Sequence, residues 1–301
     1  MPVVISALTD LSPTDEIGFI INVGTKYVST LALLSALRYA RIPIVVIDCE
    51  SRDGSFDWFQ GLMKDYDFHL IATKLRHHGE TLDWIFKGAR ADRVLLIDSD
   101  TEMLNSTMLD QMRRLLHGSN RLYGSGFLHP AQWLEHHYFT NLPIAPGIGY
   151  YVERMWIPFT LLRVGPVVEA LRLGKSFMHR LVLNEAARFP MLSNLLWRRF
   201  RMEIFRRHRL SWLDLWRKPI NDEKPCYVSY DTGADLHAFL TKDRGFQFGG
   251  IEAAAVPWSV THFSGITRSV LGSNASYDPD HLAVAHPIIV DRLHHYGIAL
   301  N

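Results

Sequence analysis

The chain has 301 residues, of which 48% are hydrophobic, 21% charged and 12% aromatic, and its formal net charge is +1. Those values exclude a disordered chain and a collagen-like repeat, and with only Cys49 and Cys226 present they exclude a disulfide scaffold. The length allows a large core without staples, as two domains or as one large α/β domain.

The first residues lack a basic stretch followed by a long apolar run, so no signal peptide is expected. Ile17–Val23 reads as a buried strand ending in Gly24-Thr25, and Tyr27–Tyr39 follows with apolar residues at helical spacing. Ile42–Asp48 is a second predicted strand, Phe56–Met63 a helix, and Phe68–Thr73 a third strand. Thr81–Arg90 is predicted helical, Val94–Asp98 is a fourth strand, and Ser106–Leu116 another helix. Each apolar run is shorter than the roughly 20 residues that a membrane span needs. Four alternations of strand and helix predict a doubly wound, mostly parallel α/β sheet.

Past about residue 125 the alternation stops. Pro143, Pro146, Gly147 and Gly149 predict a long loop, and Val167–Leu173, Leu181–Ala187 and Thr232–Thr241 predict helices. Val260–Phe263 predicts a late strand. The boundary expected is an alternating half of the nucleotide-binding type at 1–125 and a more variable half at 126–301, within one continuous domain.

Segment Trp197–Lys218 carries eight Arg and Lys against Glu203 and Asp214, interleaved with Trp, Phe, Leu and Ile. Cations mixed with aromatic rings suit an anionic membrane surface, and equally a helix packed on the core with a solvated arginine face. Nucleic acid is the weaker alternative and is not expected.

The sharpest feature is Asp98-Ser99-Asp100 at the end of Val94–Asp98. Ligands of open α/β sheets bind beyond the carboxyl ends of the strands. Two neighbouring carboxylates repel, and stay ionised cheaply beside a cation. A divalent ion held by one or two carboxylates commonly completes its shell with substrate phosphates. The same residues would also serve as turn and helix-cap carboxylates before Ser106–Leu116. No G-x-G-x-x-G follows the first strand, which argues against a dinucleotide-binding dehydrogenase.

An ordered set of segments accompanies this pair: Ile20-Ile-Asn-Val-Gly-Thr-Lys26, Val45-Val-Ile-Asp-Cys-Glu-Ser51, Leu75-Arg-His-His-Gly-Glu-Thr81 and Leu96-Ile-Asp-Ser-Asp100. Over about a hundred residues the set resembles the nucleotide-binding half of GT-A-fold glycosyltransferases of the family-2 type. The resemblance implies a Rossmann-like GT-A sheet with a helical C-terminal acceptor region. It implies a metal, Mn2+ or Mg2+, held by Asp100, by Asp98 and by a late histidine, His262 in Thr261-His-Phe-Ser-Gly265. It implies nucleotide contacts from Asn22, Val23, Thr25, Asp48, Glu50, Arg76, Asp98 and Ser99, with Arg268 near the diphosphate. His77 and His78 are adjacent, and either imidazole could be a ligand or a solvated loop residue. The base for the acceptor hydroxyl is expected at Asp231 or Asp235, although the usual adjacent Glu-Asp is absent there and Thr232-Gly233 stands near its place.

The function so implied is metal-dependent transfer of a sugar from a nucleotide-diphosphate sugar, expected to be a UDP-sugar, to a hydroxyl of a glycan or lipid-linked acceptor. Inversion at the anomeric carbon and a role in polysaccharide or glycolipid assembly are part of the same implication. The expected location is the cytoplasm, peripheral at the inner face of the cell membrane. A nucleotidyltransferase of related fold and a glycosyltransferase-like scaffold without turnover are the alternatives.

Overall fold

The structure is a computed structural model, and it describes residues 3–134, 149–183, 227–263, 266 and 279–300. The basic segment 197–218 and Arg268 lie outside the described residues, so the expectations placed on them stay expectations.

The first half alternates as the sequence predicts. After the two-residue β1 (Val3–Val4) come β2 (Thr14–Asn22), α1 (Lys26–Tyr39), β3 (Ile44–Cys49), α2 (Ser55–Leu62), β4 (His69–Thr73), α3 (His78–Gly88) and β5 (Ala91–Asp98). A short β6 (Thr101–Met103) precedes α4 (Thr107–Gly118). Strand residues alternate between the two faces of the sheet. Ile20, Ile44, Val46, Leu95 and Ile97 enter one core with α1, α2 and α4. Phe19, Val45, Ile47, Val94 and Leu96 enter a second core with α3. Apolar layers on both faces explain why these strands read as nearly continuous hydrophobic runs.

The second half continues the same sheet. The later strands are β7 (Leu122–His129), β8 (Gln132–Trp133), β9 (Gly149–Tyr151), β10 (Arg154–Arg163), β11 (Arg180–Leu183), β12 (Tyr227–Tyr230), β13 (Gln247–Gly250) and β14 (Val260–His262). The helices among them are α5 (Val164–Arg172), α6 (Ala234–Ala238), α7 (Val256–Ser259) and α8 (Pro279–His295). The eight-stranded sheet has the order β1-β4-β3-β2-β5-β10-β7-β13. Only β10 runs against its neighbours β5 and β7; the remaining pairings are parallel. The doubly wound, mostly parallel sheet expected from the sequence is therefore observed, drawing strands from both sides of residue 125.

Two local expectations differ. Leu181–Leu183 is strand, paired antiparallel with β12, where the apolar spacing predicts a helix. The predicted helix over Thr232–Thr241 is a five-residue α6 that gives way to a wider turn at Phe239–Asp243. A second sheet, β11-β12-β9-β8, is fastened to the first half through α3. Asp83 of α3 accepts the Phe177 N–H at 2.8 Å and the Ser176 hydroxyl at 2.6 Å. A Cβ on Gly79 would sit 2.6 Å from Met178 Cα, so only glycine lets the first turn of α3 approach this loop.

Candidate metal and nucleotide site

The chain leaves β2 outward to β3 and β4, then returns to place β5 on the other side of β2. The order therefore reverses between β2 and β5. A crevice beyond the carboxyl ends of the strands at such a reversal is where open α/β sheets bind ligands. Asn22 closes β2 and Asp98 closes β5 at that point, with Ile21 paired to Asp98.

Asp98, Asp100 and His262 come together there. Their ligand atoms all lie within 4.8 Å of one another, the one such group of His, Cys, Asp and Glu among the described residues. The strand register explains how a histidine so distant in sequence arrives. β14 pairs antiparallel with β6, so that Val260 faces Met103, Thr261 faces Glu102 and His262 faces Thr101. The pairing extends one step further through the Phe263 N–H, which donates to the Asp100 carbonyl at 2.8 Å. His262 Nε2 then lies 3.1 Å from Asp100 Oδ1. The Asp100 side chain is only 6% exposed and that of Asp98 27%. Burial holds the Asp98 carboxyl above the usual carboxylate range, and the Asp100 charge adds to this while His78 and His262 oppose it.

Two carboxylates and an imidazole, aimed at one point and partly sheltered from water, form a donor set that fits a divalent cation. The nitrogen donor suits Mn2+ somewhat better than Mg2+. Of the two adjacent histidines, His78 is the one at the site, with Nε2 3.7 Å from Asp98 Oδ1. His77 is the exposed residue capping α3.

The expected nucleotide contacts divide into two sets. Asn22 is fully buried, and its side chain is used within the protein. Its Nδ2 donates to Asp48 Oδ1 at 2.7 Å and to Ser51 Oγ at 2.8 Å. Its Oδ1 accepts from the Thr25 N–H, the Thr25 hydroxyl and the Ser29 hydroxyl at 2.8–3.1 Å. Asn22, Thr25 and Asp48 thus knit the loops after β2 and β3 together. Val23 is partly exposed beside them. Ser99 is buried in the turn between the two carboxylates.

Glu50 and Arg76 lie nearer the solvent. Glu50 is exposed, has a left-handed backbone (φ 52°), and accepts the Leu75 N–H at 3.2 Å. A left-handed non-glycine residue is an uncommon conformation, here in the loop that follows β3. Arg76 donates to Thr73 Oγ1 at 2.9 Å and stacks over Trp84 at 5.4 Å.

Both base candidates are ion-paired. Asp231 Oδ2 lies 3.1 Å from Arg154 Nε, and its Oδ1 accepts the Thr232 N–H at 2.7 Å. Asp235 sits between two cations, Arg180 at 2.7 Å and Lys175 at 3.7 Å. Gly233, at φ 80°, makes the turn between the two carboxylates.

Trp156 and His78 complete the neighbourhood of the cluster. Trp156 stands edge-on to His262, ring centroids 5.6 Å apart at 89°. Trp156 and Arg154 share β10, which the proline-bearing stretch Arg154–Arg163 hides from pattern reading; the alternation of Met155, Ile157 and Phe159 was its one legible sign.

No protein-family model and no curated protein matches the chain. Solved structures do. A mannosyltransferase from Pyrobaculum calidifontis, in complex with GDP-Man and Mn2+, is similar at 12% identity and a TM-score of 0.40, over 57% of this chain and 49% of that one. Residues 1–349 of S. aureus TarS, in complex with UDP-GlcNAc, match at 14% identity and a TM-score of 0.34, over 52% of this chain and 47% of that one. A 4-diphosphocytidyl-2C-methyl-D-erythritol synthase from Anaerococcus prevotii matches at 11% identity and a TM-score of 0.37, over 54% of this chain and 76% of that one. The chain thus spans about half the length of the first two structures. Among the described residues no helix is long and apolar enough to cross a membrane.

Proposed function

We propose that the protein is a metal-dependent glycosyltransferase that moves a sugar from a nucleotide-diphosphate sugar to a hydroxyl group. The observation that carries this reading is the convergence of Asp98, Asp100 and His262 at the reversal point of the sheet. When bound there, Mn2+ or Mg2+ supplies positive charge against the diphosphate as it leaves.

The chain's own residues take the remaining roles. The half up to residue 125 holds the donor, with Glu50, Arg76 and the backbone around Val23 facing the nucleotide. Asn22, Thr25 and Asp48 keep that floor rigid through their mutual hydrogen bonds. Asp231 is the base, since it faces one cation whereas Asp235 is held by two. Its carboxylate takes the proton of the acceptor hydroxyl. The hydroxyl oxygen bonds to the anomeric carbon as the bond from that carbon to the diphosphate oxygen breaks, with inversion. The acceptor is a glycan or a lipid-linked glycan, and segment 197–218, rich in Arg and Trp, gives it or an anionic membrane face a docking surface at the inner side of the cell membrane.

A thermal-shift screen of nucleoside diphosphates and their sugars, with and without Mn2+, tests the proposal. Metal-dependent stabilisation by one nucleotide sugar, followed by release of its nucleoside diphosphate on adding acceptor, is the expected result. Release of pyrophosphate from a nucleoside triphosphate instead would assign a nucleotidyltransferase. Stabilisation without any turnover would assign a scaffold.

A further inference from the structure

We infer that Arg292, on the C-terminal helix, is the positioning residue that holds the acidic pair and His262 in register for a divalent cation. The inference rests on the metal reading of that cluster and adds to it the part of the fold that keeps the cluster in shape.

The need for such a residue follows from the size of the ribbon. His262 is carried by β14, three residues long, whose one strand partner among the described residues is the three-residue β6. The pair forms a sheet of its own, separate from the eight-stranded one. An isolated two-stranded ribbon is marginal in water, so its geometry has to be fixed from outside. The turn Ser99-Asp100 feeds directly into it, and any slip between β6 and β14 would move Asp100 away from His262.

Arg292 binds both strands at once. Its Nη1 pairs with the Glu102 carboxylate on β6 and lies 3.3 Å from Thr261 Oγ1 on β14. Its guanidinium stacks over Phe263 at 5.5 Å. Glu102 and Thr261 are direct partners in the ribbon register, and Thr261 and Phe263 flank His262 on either side. Glu102 is buried, so its charge has no access to bulk water as an alternative partner. Both contacts come from the one nitrogen Nη1, while the planar face of the guanidinium lies on the Phe263 ring, a stacking that lysine does not reproduce.

The helix that carries Arg292 is itself anchored. Ala285, Ile289 and Leu293 of α8 are buried in the core that α1 and α2 share. Just beyond its last turn, Arg38 of α1 stacks over Tyr296 at 5.9 Å, and the Tyr66 hydroxyl donates to the Tyr296 carbonyl at 3.4 Å. The guanidinium therefore reaches the ribbon from a fixed base. On the His262 ring itself, Trp156 provides a second restraint.

The test is the Mn2+ dissociation constant of the full chain, read by electron paramagnetic resonance without any substrate, beside the melting temperature of the metal-free protein. Groups that orient metal ligands typically change affinity by about 10–100-fold when removed. Arg292→Met is expected to weaken Mn2+ binding about tenfold or more, and Arg292→Lys by less. Leu171→Ala, which opens the other core, the one that holds none of the ribbon residues, is expected to lower the melting temperature and leave the Mn2+ constant at its wild-type value. Thr261→Val, which removes one arm of the bridge, is expected to weaken binding several-fold and decides the matter should Arg292→Met fail to fold. Wild-type affinity in Arg292→Met or in Thr261→Val, or an equal loss in Leu171→Ala, would overturn the positioning role while leaving the metal site standing. A wild-type chain that takes up no Mn2+ would instead remove the metal reading itself, and the role of Arg292 with it.

Discussion

His262 Nε2 lies 3.1 Å from Asp100 Oδ1 although 162 positions of chain separate them, and the bond joining their segments is a backbone one, from the Phe263 N–H to the Asp100 carbonyl. The contact therefore depends on strand register rather than on side-chain reach. If the pair is a cation site, each member has a separable effect. Asp100→Asn removes a buried negative charge that faces a neighbouring carboxylate, so the metal-free protein should keep its melting temperature or gain slightly. The same variant should lose the rise in melting temperature that Mn2+ gives the wild type, together with metal-dependent turnover. His262→Ala should retain weak Mn2+ binding through the two carboxylates. Titration calorimetry with Mn2+ on both variants checks this, and wild-type affinity in Asp100→Asn would remove the metal assignment.

Asn22 leads to the opposite expectation. Its amide makes five hydrogen bonds within the protein and meets no solvent. Truncation to Ala would strand the Thr25 N–H and Asp48 Oδ1 in a buried setting, while the Thr25 and Ser29 hydroxyls keep each other at 2.7 Å; each unsatisfied group costs about 1–3 kcal/mol. Asn22→Ala should therefore lose several kcal/mol of stability in urea titrations, of the order of two such groups. Its effect on affinity for a nucleotide sugar, measured on the folded fraction, should be small by comparison. A large loss of affinity without loss of stability would return Asn22 to direct nucleotide contact.

The first half of the fold was legible because its strands are covered on both faces. β3, all of whose residues are buried, and the core of β5 give unbroken apolar runs between helices, and pattern reading finds such runs. The acidic pair was legible for the same reason, since Asp98 and Asp100 interrupt the run where β5 ends. β10 was not. Pro158 sits inside it, and a proline argues against a paired strand; the structure accommodates it where the register with β7 shifts between Met155 and Thr160. Leu181–Leu183 was misread because a short apolar run has no period to tell strand from helix, and pairing with β12 decides the matter. His262 could be picked out from its setting, but Arg292 could not. Nothing in Asp291-Arg-Leu-His marks an arginine that reaches across to Glu102, because that relation exists only in three dimensions.

Stability should also carry an acid limb from a buried histidine. His179 is buried with Nε2 3.0 Å from Ser229 Oγ, and burial pushes its pKa down to about 4, against a partial opposing pull from Asp231. The unfolded chain takes up this proton near the ordinary value of about 6.5, and the folded chain resists it. The unfolded state thus binds more protons between those values. The contribution is complete above pH 6.5 and is lost as the pH falls toward 4. Integrated over that window it amounts to about 3 kcal/mol. Urea titrations at several pH values should show His179→Gln with a shallower loss of stability than the wild type between pH 6.5 and 4. Parallel curves for the two proteins would mean that His179 is charged in the folded state.

The two carboxylates on either side of Gly233 should separate by role. Asp235 is 15% exposed, lies 2.7 Å from Arg180 and 3.7 Å from Lys175, and follows the turn into α6. Removing one member of a partly buried ion-paired group leaves its cations unbalanced, so Asp235→Asn should mainly cost stability. Asp231 precedes the turn and faces Arg154, two residues from the Trp156 that touches His262. As the proposed base, Asp231→Asn should keep Mn2+ and nucleotide-sugar binding and lose transfer to an acceptor, by about 100-fold or more in kcat, as loss of general-base catalysis typically does. Slow hydrolysis of the donor by water would persist in that variant, because the leaving group is still held. Parallel assays of transfer and donor hydrolysis distinguish the cases: if Asp235→Asn loses transfer while Asp231→Asn retains it, the two assignments exchange places.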